Sequence, residues 1–351
     1  MASPAKSSPA DPRPAIGFVP DEAPLRFDRP VRPGGYAWWY LDAVSDDRSL
    51  AVTVIAFIGS VFSPRYARAR RAMSRGGPPA EPERFAAINV ALYRRGGRKT
   101  WALTEHPELA RTRELLSIGR SSLRWRSDDR GEHLSVELDE LETRFGGRLG
   151  GPLRGRIRLY PTALFGPRIE LDRARSPARH RWYPVAPHAR AEVEFDAPKL
   201  RFSGSAYHDV NEGDEGLELG FASWNWSRAE LDEDQTAILY DVIPRAGRLD
   251  PRGWLFSAER REITPISSES LGPALALAPT RWRVDRAIRS EPGHTPALIS
   301  TLEDTPFYSR NLIRTRVAGC EATAVHESVS LDRFASPAVQ FLLGFKTATW
   351  P

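Results

Sequence analysis

Ala37-Trp-Trp-Tyr-Leu-Asp-Ala-Val44 and Leu50-Ala-Val-Thr-Val-Ile-Ala-Phe57, with Ser-Asp-Asp-Arg-Ser between them, set the fold class of this chain. Each is a short run of aromatic and β-branched side chains, which fit a pleated surface, and the linking residues favour a turn. Similar runs bounded by Gly, Pro, Asp or Asn recur to the end of the sequence. They cover Ala87–Tyr93, Ser122–Arg126, His133–Leu138, Arg154–Tyr160, Arg190–Phe195, Leu217–Trp226, Thr236–Val242, Leu312–Val317 and Ala322–Leu331. The pattern predicts an all-β antiparallel fold, a sandwich or barrel, with short helices only over Arg65–Arg75 and Arg333–Leu343.

At 351 residues the chain is long enough for one large domain or two ordinary ones. A stretch rich in Pro and Arg, Pro167 to Pro187, interrupts the strand pattern near the middle. It predicts an N-terminal β domain over 26–170 and a C-terminal one over 171–351. Residues 1–25 are expected to be a disordered leader, because Met1 to Gly17 is rich in Ala, Pro and Ser and lacks the apolar segment of a secretory signal. The single cysteine, Cys320, excludes an intramolecular disulfide and a Cys-rich zinc site, and fits a reducing compartment. The longest apolar stretch, Leu50 to Phe62, falls short of the roughly 20 residues of a spanning helix, so no membrane crossing is expected. Net charge is +5, with only four lysines among fifty basic residues, and acids are interleaved almost everywhere. That distribution argues against nucleic acid as a partner.

No phosphate-cradling glycine loop, dinucleotide fingerprint, nucleophile elbow or zinc-protease motif is present. Asp209-Val-Asn211-Glu-Gly213-Asp214 begins like a calcium loop, but Asp214 and Gly220 stand where an EF-hand needs Gly and Glu. Cofactor-free and metal-free chemistry, or plain binding, is what remains. In Tyr207-His-Asp209-Val-Asn211 an extended chain would turn a phenol, a carboxyl and an amide to one face. The alternative is a strand end where Asp209 and Asn211 cap an Asx-type turn. His180 and Trp182 likewise share a face if extended, as do Trp224 and Trp226, and Tyr240 follows with Asp241 as a second-rank acid. So many aromatic residues with so few titratable groups predict an apolar pocket for a long hydrocarbon, with Trp224, Trp226, Tyr240 and Asn211 binding it. Tyr36 and Trp38-Trp39-Tyr40 read instead as a core strand.

Taken in order, several segments resemble the bacterial carotenoid 1,2-hydratases, or hydroxyneurosporene synthases. They are Gly34-Gly-Tyr-Ala-Trp-Trp-Tyr-Leu-Asp-Ala43, Ile55-Ala-Phe-Ile-Gly-Ser-Val-Phe-Ser-Pro64, Asn89-Val-Ala-Leu-Tyr93, Arg179-His-Arg-Trp-Tyr-Pro-Val-Ala-Pro187, Tyr207-x-Asp209-x-Asn211, Trp226-Ser-Arg228 and Ala324-Val-His-Glu-Ser328. The resemblance spans roughly Phe27 to Phe345. It implies two lipocalin-like β domains, no cofactor or metal, and addition of water to the terminal C1–C2 double bond of acyclic carotenoids such as neurosporene and lycopene. The family's functional residues correspond to His180, Trp182, Tyr207 and Asp209.

Hydrating an isolated alkene needs a proton on the less substituted carbon and water on the tertiary cation that results. Among aromatic rings a carboxyl can stay protonated, so Asp209 is expected to be the acid. The faces of Trp182 and Tyr207 would meet the cation, and neutral His180 would take the water's proton unless it pairs with Asp209. Asn211 and Tyr207 would orient the water. A non-catalytic carotenoid or lipid carrier, and a polyene cyclase or isomerase, are the competing readings. Collecting such a substrate implies peripheral contact with the cytoplasmic side of the inner photosynthetic membrane, expected through Val61, Phe62 and the arginines that follow, Arg65, Arg68, Arg70 and Arg71.

Overall fold

Strand follows strand with short turns: β1 (Tyr36–Ser45), β2 (Leu50–Ile58), β3 (Ala86–Arg94), β4 (Thr100–His106), β5 (Leu109–Arg111), β6 (Leu115–Ile118), β7 (Ser121–Asp128), β8 (Gly131–Arg144), β9 (Arg148–Pro161), β10 (Ile169–Glu170), β11 (His180–Ala197) and β12 (Lys199–Gly213). After these come β13 (Phe221–Glu230), β14 (Gln235–Pro244), β15 (Asp250–Ser257), β16 (Glu262–Pro265), β17 (Leu275–Ala276), β18 (Ala287–Ile288), β19 (Ala297–Asp304), β20 (Tyr308–Val317), β21 (Cys320–Ser330) and β22 (Ala348–Thr349). The helices are short: α1 (Pro64–Met73), α2 (Leu217–Gly220), α3 (Leu331–Ala335) and α4 (Pro337–Gly344). This computed structural model describes residues 25–97, 99–144, 146–245 and 247–350, so the expected leader lies outside the described residues apart from Leu25.

The chain forms two large sheets. The first runs β22-β4-β3-β2-β1-β12-β11-β9-β8-β7-β6-β5, with β10 on β11, and the second runs β16-β15-β14-β13-β21-β20-β19. All-β architecture is therefore observed, and the first sheet curls so that β4 packs against β8. The change of sheet falls between β12 and β13, across α2, rather than near residue 170. β11 and β12 belong to the first sheet because they pair with β9 and β1, and the Pro- and Arg-rich stretch holds the crossing from β9, β10 and the start of β11, all within that sheet.

β1, β2 and β3 are covered on both faces, which is why they read as unbroken apolar runs rather than alternating ones. Trp39, Leu41, Val52 and Val54 point into the core of the curled first sheet. Tyr36, Tyr40 and Phe57 point the other way, toward the second sheet. The single helix expected over Arg333–Leu343 is split at Ser336, whose backbone is extended (ψ 143°). A residue before proline is pushed out of the helical region, and the Ser336 hydroxyl accepts from Val339 N instead, starting α4 afresh. Among the described residues no helix is long and apolar enough to cross a membrane.

Candidate active site

A cavity of about 530 Å³ separates the outer face of β1–β4 and β12 from the second sheet and is closed at one side by α3 and α4. Trp224, Trp226, Tyr240 and Asn211, the residues expected to meet the ligand, all line it, and so does Asp209. Trp38 and Tyr40 line it as well, although they read as core in the sequence. They share a face with Tyr36 because side chains two apart on a strand point the same way.

Tyr207, Asp209 and Asn211 do share one face, since β12 runs straight through them to Gly213 rather than ending in an Asx turn. Tyr207 OH and Trp182 Nε1 each donate to Asp209 Oδ2 at 2.8 Å, and Asn211 Nδ2 donates to Oδ1 at 2.9 Å. Trp182 comes from β11, where it stands opposite Asn211. Burial pushes the Asp209 carboxyl up to about 8, outweighing the Tyr207 and Trp182 donors, while the negative charge of Glu327 adds to the rise. Three donors favour the anion, but with no cation among the described residues against the carboxyl the loss of water wins. Burial also raises Tyr207 well above its usual range, reinforced by the neighbouring carboxyl.

The four residues expected to be catalytic therefore occupy three different layers. Asp209 reaches the cavity. Trp182 and Tyr207 are fully buried behind it, packed on Tyr240 and Trp226 with ring centroids 5.4 and 5.1 Å apart. His180 lies further back, and the alternative of a bond to Asp209 is not what forms: Tyr36 OH stands 2.9 Å from Nδ1, and Nε2 is 3.7 Å from Glu215 Oε1. The imidazole fits there because Gly213 and Gly220 leave room; a Cβ would stand 2.8 Å from Nδ1 at the first and 2.4 Å from Nε2 at the second. Tyr36 in turn stacks on Trp38, 4.8 Å between ring centroids, so His180 supports the cavity wall from outside.

A polar cluster that sequence reasoning missed faces Asp209 from the second sheet. Glu327 on β21 lines the cavity, and its Oε1 accepts from Tyr308 OH at 2.9 Å and from Arg310, with the Tyr40 hydroxyl oxygen 3.0 Å away. Arg310 also reaches Asp42 Oδ2 at 2.9 Å, and Arg228 holds Asp42 Oδ1 through Nε at 2.9 Å. Burial presses the Asp42 carboxyl upward, but Arg228 and Arg310 more than offset it and hold it below the usual range. Asp241, kept as a second acid in the sequence, faces away from Tyr240 on β14 and pairs with Arg289 at 2.6 Å. Val61 and Phe62, expected to reach a bilayer, line the cavity instead; Val61 is buried and Phe62 packs on Phe57, Phe307 and Phe334. Among the described residues no cluster of three or more His, Cys, Asp or Glu is placed to hold a metal ion.

Two sheets enclosing a cavity rich in aromatic rings, with one buried carboxyl raised at its wall, define the class of β protein to which the chain belongs. The sequence profile of the carotenoid hydratase CrtC family matches residues 54–349, and the chain belongs to that family. It is 44% identical over 336 residues to the acyclic carotenoid 1,2-hydratase of Thiocapsa roseopersicina, covering 94% of this chain and 76% of that one. Identity to the acyclic carotenoid 1,2-hydratase of Rubrivivax gelatinosus is also 44%, over 92% of this chain and 75% of that protein. In fold the chain resembles an AttH-type protein of Nitrosomonas europaea, with a TM-score of 0.57 at 13% identity over 92% of this chain and 99% of that one.

Proposed function

We propose that this chain hydrates the terminal C1–C2 double bond of acyclic carotenoids such as neurosporene and lycopene, giving a tertiary alcohol. One observation carries the reading: a buried carboxyl, raised to about 8, stands in the wall of a largely apolar cavity rich in aromatic rings. Oδ2 already accepts two donors, so the acidic proton belongs on Oδ1, which accepts only from Asn211. Asp209 transfers that proton to C2, the electron pair of the double bond forms the new C–H bond, and C1 becomes a tertiary cation. Indole and phenol faces attract a desolvated cation. Trp226, Tyr40 and Trp38 offer theirs in the cavity, while Trp182 and Tyr207 serve by fixing the acid. His180 keeps Tyr36 and, through it, Trp38 in place. Water then bonds to C1 and loses a proton. The β halves on either side of the cavity thus act as one site, the acid coming from the first and much of the facing wall from the second. None of these steps calls for a cofactor.

The substrate is collected by peripheral contact with a bilayer, on the cytoplasmic side of the inner photosynthetic membrane. The rim supports this: Trp282 is 47% exposed and lines the cavity, and Phe341 on α4 is 67% exposed. α4 packs against α1, where Arg68 and Arg71 are exposed to anionic headgroups. The decisive experiment expresses the chain beside Asp209→Asn in cells supplied with lycopene, followed by chromatography and mass spectrometry. A product heavier by one water from the parent alone is expected. Unchanged pigment copurifying with both proteins would make the chain a carrier, and an isomer without added oxygen would make it a cyclase or isomerase.

A further inference from the structure

We propose that Glu327, beside the Trp226 indole on the wall opposite Asp209, binds the attacking water and takes its proton; the assignment rests on the hydration chemistry above. Trp226 and Glu327 are directly opposed partners on β13 and β21, so their side chains leave the sheet together on one face. Both line the cavity. Trp226 Nε1 is buried and has no acceptor among the described residues. Buried donors are nearly always satisfied, and a water oxygen in the cavity satisfies this one.

The carboxylate is fixed in a way that leaves one oxygen free for that water. Oε1 takes Arg310 and Tyr308, with the Tyr40 hydroxyl beside it, and no donor to Oε2 is present among the described residues. Arg228 and Arg310 face Asp42 and Glu327, two cations against two carboxylates, so Glu327 belongs to a charge-balanced cluster. Among the described residues Asp209 has no such cation. Carboxyls placed in opposed environments take opposite roles, one as acid and one as base. Tyr40 connects the two walls. It is the Cα partner of Asp209 across β1 and β12, and its hydroxyl touches Glu327.

The proton ledger closes. Asp209 gives a proton to C2, the water oxygen bonds to C1, and the resulting protonated alcohol passes a proton to Glu327 Oε2. A protonated alcohol is a strong acid, so even a carboxylate in an ion pair accepts from it. As product leaves, Glu327 releases that proton to solvent and Asp209 regains one, leaving a net addition of H and OH.

Glu327→Gln and Trp226→Phe, with Asp209→Asn and the parent, are assayed as full-length proteins on lycopene in vesicles made with D2O buffer. For Glu327→Gln hydration should fall by about 10²-fold, the scale of a lost general base. Deuterium should still enter C2 of the recovered lycopene, because Asp209 continues to protonate it and take a proton back. Hydration at the parent rate overturns the assignment. Loss of hydration and deuterium entry together, in a variant with the parent's near-UV circular dichroism, also overturns it, since Glu327 would then serve protonation. If Glu327→Gln does not fold, Trp226→Phe decides by the same pair of readouts: a drop of about tenfold in hydration with deuterium entry retained supports the proposal. An Asp209→Asn protein that still takes up deuterium refutes the acid instead, a failure readable apart from that of the base.

Discussion

Replacing Asp209 by Asn should flatten the loss of stability that this protein suffers as pH rises. In the folded chain burial holds the carboxyl at about 8, whereas its ordinary value is 3.8. Between those two values the folded state binds a proton that the unfolded state has released, so stability falls with increasing pH by about 1.36 kcal/mol per pH unit. The contribution is fully present below the unfolded value, is lost progressively above it, and is gone once pH passes the folded value. From about pH 5 to about pH 8 the parent should lose about 2–4 kcal/mol through this group, the lower figure allowing for water that follows the ion into the cavity. Asn cannot ionise. It can keep the Trp182 and Tyr207 donors on its one carbonyl oxygen, while its amide meets that of Asn211, a penalty that does not depend on pH.

Urea unfolding followed by tryptophan fluorescence at a series of pH values gives the measurement. The difference between parent and variant, rather than either curve, isolates Asp209. Groups held low in the fold, such as Glu215 and Asp47 at about 2, contribute to both proteins and cancel. A difference that grows in favour of the variant from acid to alkaline pH is expected. Parallel curves would mean that the three donors, not burial, govern the carboxyl, and the account of the acid would fail.

Tyr207→Phe removes a donor that pulls the Asp209 carboxyl down, so the alkaline limb of the hydration pH profile should move upward by somewhat less than one unit, as expected for one hydrogen bond of about 1 kcal/mol. An unmoved limb would show that this hydroxyl does not act on the acid. For the membrane, the parent should sediment with anionic vesicles, and Arg68→Glu with Arg71→Glu should weaken binding roughly 30-fold, about 1 kcal/mol per arginine. Adding Phe341→Asp should weaken it further; a parent that ignores the vesicles, or variants that bind like it, would remove the rim from the account.

Local composition carried the fold class because β1, β2 and β3 are buried on both faces and admit few polar residues. β12 was harder to see, since Ser203, Gly204 and Ser205 interrupt any apolar run, and only the Tyr207-x-Asp209-x-Asn211 alternation marked it as a strand. The sheet boundary was not legible. It depends on β1 pairing with β12, where Tyr36 meets Gly213 and Ser45 meets Gly204, a contact that nothing near either strand announces. Tyr36, Trp38, Tyr40 and Asp42 did carry a signal, a same-face row ending in an acid. It was masked because the alternate residues, Trp39 and Leu41, are equally apolar and fill the other core. Glu327 falls within Ala324–Ser328, a segment that carried the resemblance, but nothing there marked the glutamate as a site residue, and Tyr40, which reaches it across the cavity, lies 287 residues away.

Asp42 and Asp209 form an internal comparison that explains why one buried carboxyl rises and the other does not. Both carboxyls are buried, and they stand on the same face of adjacent strands, with Asp42 opposite Tyr207 and Tyr40 opposite Asp209. Tyrosine hydroxyls donate to both, from Tyr40 at 2.7 Å and from Tyr207 at 2.8 Å. Burial pushes both upward, so neither desolvation nor the phenols can account for their opposite behaviour. Arginines account for it. Arg228 and Arg310 come from β13 and β20 and end on Asp42, which stays low, whereas no cation among the described residues bonds the carboxyl two residues along the same face, and it rises to about 8. Where the second sheet sets its guanidinium groups therefore selects which carboxyl of the first keeps a proton, and that carboxyl is the one facing the cavity.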